Sequence, residues 1–261
     1  MASDVESFSK RVHGVMGQSK NKLRVLGVIA APEFDEVAWN EARKIGLMAI
    51  NLRQLFGAFA LETLCEFESL FKGITGNPNL GEDSDVEHLV QSLALLKTNP
   101  LFNELRGLAM EALGGLVLRA ENYENVHLAL DVPFKKDQTR DVDVLGSRRS
   151  YAEWRIIECK AHSSTKRLDP SEVKKFYTET VPAFISWANK KHVPVQKCSA
   201  EVWTTGKIDG DCHEALAELK LNEVITPRLV DGKTIRDELP GHIKKRCLML
   251  LNAVSQDLVR V

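Results

Sequence analysis

Two short segments carry the residue types that could do chemistry. The first, RDVDVLG from Arg140 to Gly146, holds two aspartates two residues apart. The second, WRIIECKAH from Trp154 to His162, ends an apolar run on a glutamate and a lysine, also two apart. On a β-strand, residues two apart share a face. Glu158 and Lys160 therefore point together and Cys159 points away, into the core. Asp141 and Asp143 form a similar same-side pair on the neighbouring strand, Asp141 in a supporting or surface role. A hairpin through Ser147–Tyr151 brings Asp143 beside Glu158, so that two carboxylates and an ammonium converge at a sheet edge. Two such carboxylates, with the backbone carbonyl of Cys159 as a further ligand, suit Mg²⁺, a hard cation that prefers oxygen and keeps several waters. Mn²⁺ is expected to substitute. The metal would polarise a phosphoryl oxygen and acidify a bound water. Lys160 would orient or activate that water and offset charge on the phosphoryl oxygens.

The elements that must position these residues can be read from periodicity. Residues 3–18 read as a surface helix, 23–31 as a strand, 34–45 as an amphipathic helix and 47–50 as a second strand. Leu52 to Lys72 reads as one long helix. Gly73 to Asp85, rich in Gly, Pro, Asn and acids, reads as a linker. It divides an N-terminal α/β-helical part (1–80) from a second domain (86–261). In the second domain Ser84 or Asp85 caps a helix to Leu96, and a broad apolar face marks a helix from Phe102 to Arg119. Strands are expected at 125–134, 141–145 and 153–159. A helix at 171–190, kinked or divided by Pro182, leads to a strand at 200–206, a helix at 209–220, a short strand at 223–226 and a helical segment over 242–258. Hairpin strands followed by a β-α-β crossover predict an α/β fold, a mixed sheet flanked by helices. Residues 24–52 and 200–226 share one strand-helix-strand order.

Asp143 on the second strand, Glu158-Cys159-Lys160 on the third and the αβββαβ order around them resemble the PD-(D/E)xK, restriction-endonuclease-like nucleases. Val142 stands where the family name has Pro. Met110-Glu111, ahead of Asn122-Tyr123, is similar to the helical F-E…G-Y segment of the methyl-directed restriction branch. The likeness spans roughly residues 101–230, half of the chain. It implies a metal-dependent nuclease that hydrolyses DNA phosphodiester bonds, in restriction, phage defence or repair, with Glu111 as an auxiliary acid near the metals. It also implies that the helix after Lys160, with Lys174 and Lys175, contacts the nucleic acid. A catalytically inactive binding or scaffold subunit and an RNA-directed nuclease are the alternatives, and a homodimer or a subunit of a larger defence complex are both compatible with it.

Charge fits a polyanionic partner. The chain of 261 residues has a net charge of −1, yet residues 121–200 hold 14 basic and 11 acidic side chains, a balance of +3. The basic residues come in doublets: Lys135–Lys136, Arg148–Arg149, Lys166–Arg167, Lys174–Lys175 and Lys190–Lys191. Doublets around acids suit a nucleic acid held against a metal site. Hydrophobic residues at 44% and charged residues at 27% exclude a disordered tail or a fibre. Five scattered cysteines with no C-x-x-C pair argue against a zinc site and for a reducing, cytoplasmic setting. There is neither a signal-like start nor an apolar run of membrane length. Gly73-Ile74-Thr75-Gly76 lacks the G-K-[ST] ending of a phosphate loop. Trp154, Trp187 and Trp203 read as core aromatics, and His162 as a loop residue.

Overall fold

The computed structural model describes residues 27–76, 83–136, 138–191, 193 and 195–255, together with Lys10. The expected helix over 3–18, the start of the first expected strand and the end of the last helix lie outside the described residues. The chain divides into two compact units, Met1–Glu62 and Thr63–Val261. Among the described residues no helix is long and apolar enough to cross a membrane.

In the first unit, β1 (Val28–Ala31) and β2 (Met48–Asn51) pair in parallel across α1 (Glu36–Lys44). Asp35 caps α1 by accepting from the Ala38 N–H at 2.7 Å. Ala38, Ala42 and Leu47 form its small core. The long helix expected from Leu52 is interrupted. α2 (Leu52–Phe56) ends at Gly57, whose φ of +87° only glycine adopts without strain. α3 (Ala58–Gly76) then runs on into the first four residues of the expected linker. Tertiary packing overrides the glycines there. Ile74 is 1% exposed, and the Arg119 guanidinium donates to the carbonyls of Ile74 and Thr75 at 2.5 and 2.7 Å. These are the orphan acceptors of a helix C-terminus.

The second unit is built on a five-stranded sheet in the order β3-β4-β5-β6-β7. Its strands are β3 (Asn125–Lys135), β4 (Gln138–Arg148), β5 (Glu153–Lys160), β6 (Lys197–Thr204) and β7 (Ile225–Asp231). β3–β4 and β4–β5 are antiparallel, β5–β6 and β6–β7 parallel, which is the mixed sheet the sequence predicts. β1-α1-β2 and β6-α8-β7, with α8 at Gly210–Ala217, are both parallel strand-helix-strand units.

One face of the sheet is covered by α5 (Phe102–Ala120). It comes close on two glycines: a Cβ on Gly114 would stand 3.1 Å from Val144, and one on Gly115 3.1 Å from Leu128. α10 (Lys244–Val254) packs on α5 and on α4 (Asp83–Leu95). The other face is covered by α6 (Pro170–Lys175) and α7 (Val181–Lys190), whose Val173, Phe184 and Ala188 share a core with Leu145, Ile156 and Ala200. Pro182 divides this helical stretch as expected, through a π-turn at Phe176–Thr180 just ahead of it. β7 is longer than the expected 223–226, because Pro227 is tolerated on an edge strand. A short helix, α9 (Gly232–Glu238), follows and is absent from the sequence reading. Asp231 caps it through the Thr234 N–H at 2.7 Å.

Candidate functional site

The site is built where the sheet changes its facing. Leu128 and Val144 lie under α5, whereas Leu130, Val132 and Val142 pack into the opposite core. Leu128 and Leu130 would share a face on a regular strand. Between them Ala129 takes a φ of +50°. The β3–β4 ladder pairs Leu128 with Val144 and Leu130 with Val142, and lacks the Ala129–Asp143 pair between them. Asp143 therefore stands at the point of reversal. The β4–β5 ladder ends at the neighbouring Val144–Ile157 pair, so Asp143 and Glu158 occupy the next opposed positions. There the Asp143 carboxylate replaces a strand partner: its Oδ2 accepts the backbone N–H of Cys159 at 2.6 Å.

Beyond this pair the strands open onto a cleft of about 360 Å³. Asp141 and Asp143 line one side, Glu158 and Lys160 come from β5, and Glu172, Lys175 and Phe176 close the other side. The Lys160 ammonium lies 2.8 Å from Glu158 Oε1 and 3.9 Å from Glu172 Oε1. The expected gathering of Asp143, Glu158 and Lys160 is thus found, with one correction. The residues do not sit at a sheet edge, because β4 and β5 are interior strands. Asp143 lies mid-β4, where β4 leaves β5, and Glu158 and Lys160 lie at the carboxyl end of β5, beside the carboxyl ends of its parallel neighbours.

Negative charge in the cleft exceeds what its cations neutralise. Burial, then Glu158, push the Asp143 carboxyl up to about 7, against the Cys159 N–H and Lys160. Burial, then Asp143, Asp141 and Glu158, push Glu111 on α5 up to about 8. Glu111 Oε2 is buried without a hydrogen-bond partner. Asp141 is raised by burial and by Asp131, its cross-strand partner. For Lys160, burial opposes the charge, but Glu158, Asp143 and Glu172 outweigh it and raise the pKa. Burial and the surrounding carboxylates push the Cys159 thiol well above its usual range, so this side chain is no nucleophile. Burial, then Lys166, lower His162, whose Nδ1 is buried and unpartnered.

The predicted basic doublets separate. Lys175 lines the cleft. Lys135 and Lys136 lie at the β3–β4 turn. Arg148 and Arg149 both bind Glu153 at the opposite end of β4, at 2.7 and 2.6 Å. Arg167 pairs with Asp209 and Lys174 with Glu218, and Lys166 lies near His162. Glu172 and Asp131 are members of the charge cluster that the sequence reading missed. Glu172 lies in the first turn of α6, two residues after the Pro170 that opens it, a signal of an acid at a helix start that was available. Asp131 is found only through the register that sets it opposite Asp141. A second buried charge group has a structural role: Glu201, 1% exposed, binds Arg155 at 2.9 Å and the Trp203 indole N–H at 2.7 Å.

Among the described residues no group of three or more His, Cys, Asp or Glu side chains could hold a metal ion as arranged here. Comparison with protein-family models, with curated proteins and with solved structures found no match to this chain.

Proposed function

We propose that the chain is a metal-dependent nuclease of the PD-(D/E)xK type, hydrolysing phosphodiester bonds of DNA. The observation that carries this reading is one cleft in which Asp143, braced by the Cys159 N–H, faces Glu158 and a Lys160 ammonium 2.8 Å from it. A second observation supports the methyl-directed likeness. Asn122, at the position of that branch's glycine, has a φ of +63°, the left-handed helix cap for which glycine is commonly used. The order α5-β3-β4-β5-α6/α7-β6 agrees with the αβββαβ core. Five free thiols favour a reducing, cytoplasmic setting.

The donor chemistry fits a hard cation. The cleft offers oxygen ligands only, Glu111 keeps an orphan buried oxygen, and the raised Asp143 and Glu111 mark carboxylate charge that a cation would relieve. Mg²⁺ is usually held by one or two protein carboxylates, its other positions going to water and substrate phosphate. A group of three protein acids is therefore not required. Asp143 and Glu158, with the Cys159 carbonyl, would hold Mg²⁺ or Mn²⁺, and Glu111 and Asp141 would set the charge around it. The cation supplies a polarising charge to a phosphoryl oxygen and acidifies bound water. Lys160 keeps its proton at neutral pH, so its work is to orient the attacking water and offset charge on the phosphoryl oxygens.

The test is incubation of the protein with plasmid, single-stranded DNA and RNA, each with Mg²⁺, Mn²⁺ or EDTA. Cleavage of DNA that EDTA abolishes is the expected result. Cleavage of RNA alone would reassign the substrate, and no cleavage with any metal would leave a nuclease-fold binding subunit.

A further inference from the structure

β4 is 11 residues long but pairs with β5 only from Val144 to Arg148. Its first half leaves the sheet with β3 as a two-stranded arm, paired out to Lys135–Gln138. Thr139, Arg140 and Asp141 of this arm line the cleft. Its turn carries Lys135 and Lys136, both exposed.

The cations around the cleft are not equivalent. Lys160 is held by Glu158. Arg140 is held by Glu179 on the π-turn and lies 4.2 Å over the Phe134 ring. Among the described residues, Lys175 is the cation lining the cleft for which no carboxylate partner is found. Among the described residues, which do not include Asp137, Lys135 and Lys136 likewise have no ion pair, although the Lys135 ammonium rests 4.6 Å over Phe134. The floor between these lysines is acidic and repels a polyanion, so the hold on one must come from the rim.

We propose that Lys175 and the Lys135–Lys136 turn of the β3–β4 arm grip the phosphodiester backbone of a nucleic-acid strand laid across the cleft. The scissile position rests on the nuclease reading above, but the grip itself is a matter of binding. From Asp143 to Gln138 the arm extends five residues, about 17 Å at ~3.4 Å per residue. Phosphates along one strand of a duplex are also about 3.4 Å apart on the axis. The turn therefore stands about 17 Å along the arm from the cleft floor and meets phosphates other than the one over the cleft. Arg148–Arg149, at the far end of β4, take no part.

The experiment is fluorescence anisotropy with a labelled 24-base-pair DNA duplex and its RNA counterpart, in EDTA and in Ca²⁺, over a range of salt. Three full-length variants are compared with the wild type: Lys175→Ala, Lys135→Ala with Lys136→Ala, and Lys190→Ala with Lys191→Ala. The last pair removes equal charge at the C-terminal end of α7, whose Phe184 packs on Trp154 at the opposite end of β5 from Lys160. Thermal melts confirm that each variant is folded. Each lost phosphate contact lowers the slope of log affinity against log salt by about one. The expected decreases are about one for Lys175→Ala, about two for the arm pair and none for the α7 pair. Tighter binding of the DNA or of the RNA duplex identifies which of the two the grip serves. Equal losses from the arm and α7 pairs, an unchanged slope in the arm pair, or no binding of either duplex by the wild type would overturn the proposal. Binding with the expected slopes but no Mg²⁺-dependent cleavage would leave the grip standing and remove the nuclease reading instead.

Discussion

Lys160 and Asp143 differ in what each loses on substitution. The Lys160 side chain is only 24% exposed and is paired to Glu158, but it supports no apolar core. Its proposed work is done on the transition state, so Lys160→Ala should lower the cleavage rate by about 10²–10³-fold while most nucleic-acid affinity remains. Asp143→Ala removes a metal ligand and the acceptor for the Cys159 N–H. It should also weaken Mn²⁺ binding, and should tighten DNA binding in EDTA by relieving repulsion in the cleft. A cleavage time course beside metal and DNA titrations separates the two variants. Wild-type cleavage by Lys160→Ala would overturn the mechanism.

At the scale of the element, two backbone features hold the site. Ala129 in the left-handed region lets β3 and β4 reverse their facing, and a β-branched side chain is a genuine outlier there. Ala129→Val should cost about 1–2 kcal/mol of stability beyond any packing change, read as a lower urea midpoint, and it should reduce cleavage by displacing Asp143. Ala129→Gly should leave both nearly unchanged. The second feature is the loop after Lys160. The Thr205 N–H donates to the Lys160 carbonyl, and Lys166 and Lys207 bridge the loops that follow β5 and β6. A Cβ on Gly206 would collide with the Lys166 carbonyl. Gly206→Ala should therefore disturb the end of β5, lowering Tm as well as kcat, because backbone must shift to make room. An unchanged kcat would show that this loop does not position Lys160.

For the whole molecule, two buried charge groups pull stability in opposite directions with pH. Asp143 and Glu111 are raised in the fold, to about 7 and about 8. The stability they carry is full below the ordinary carboxylate range and is lost as pH rises through those values. For Glu201, burial raises the pKa but Arg155 outweighs it, and the net shift is down. Its contribution is present above the ordinary range and is lost as pH falls. Thermal melts in EDTA should therefore peak at mildly acidic pH. Asp143→Asn should flatten the decline toward pH 8, and Mg²⁺ should raise Tm at pH 8 in the wild type more than in that variant. Glu201→Gln leaves Arg155 buried with a weakened partner across β5 and β6. Losing one member of such a pair costs about 3–5 kcal/mol, so Tm should fall at every pH measured. A Tm that climbs steadily to pH 8 without metal would contradict the charge assignment in the cleft.

Local pattern in the sequence determined the order of the five sheet strands and of the helices between them, though not α9, and the pairing of Glu158 with Lys160, because a period of two needs only the strand itself. It also determined that Pro182 divides its helix, since the missing N–H acts wherever proline stands. Only the tertiary structure decided the rest. Residues 73–76 are helical because Ile74 is buried and Arg119 caps its carbonyl, contacts that no local pattern encodes. The facing reverses at Ala129 and Asp143 because two cores, on opposite sheet faces, claim Leu128 and Leu130. Asp143 comes to Cys159 because β4 and β5 part there, and the strand order sets that point inside the sheet. The basic doublets look alike in sequence. Folding separates them, because ion pairing is settled by which acids the chain brings near: Glu153 neutralises Arg148 and Arg149, while among the described residues Lys175, Lys135 and Lys136 have no carboxylate partner.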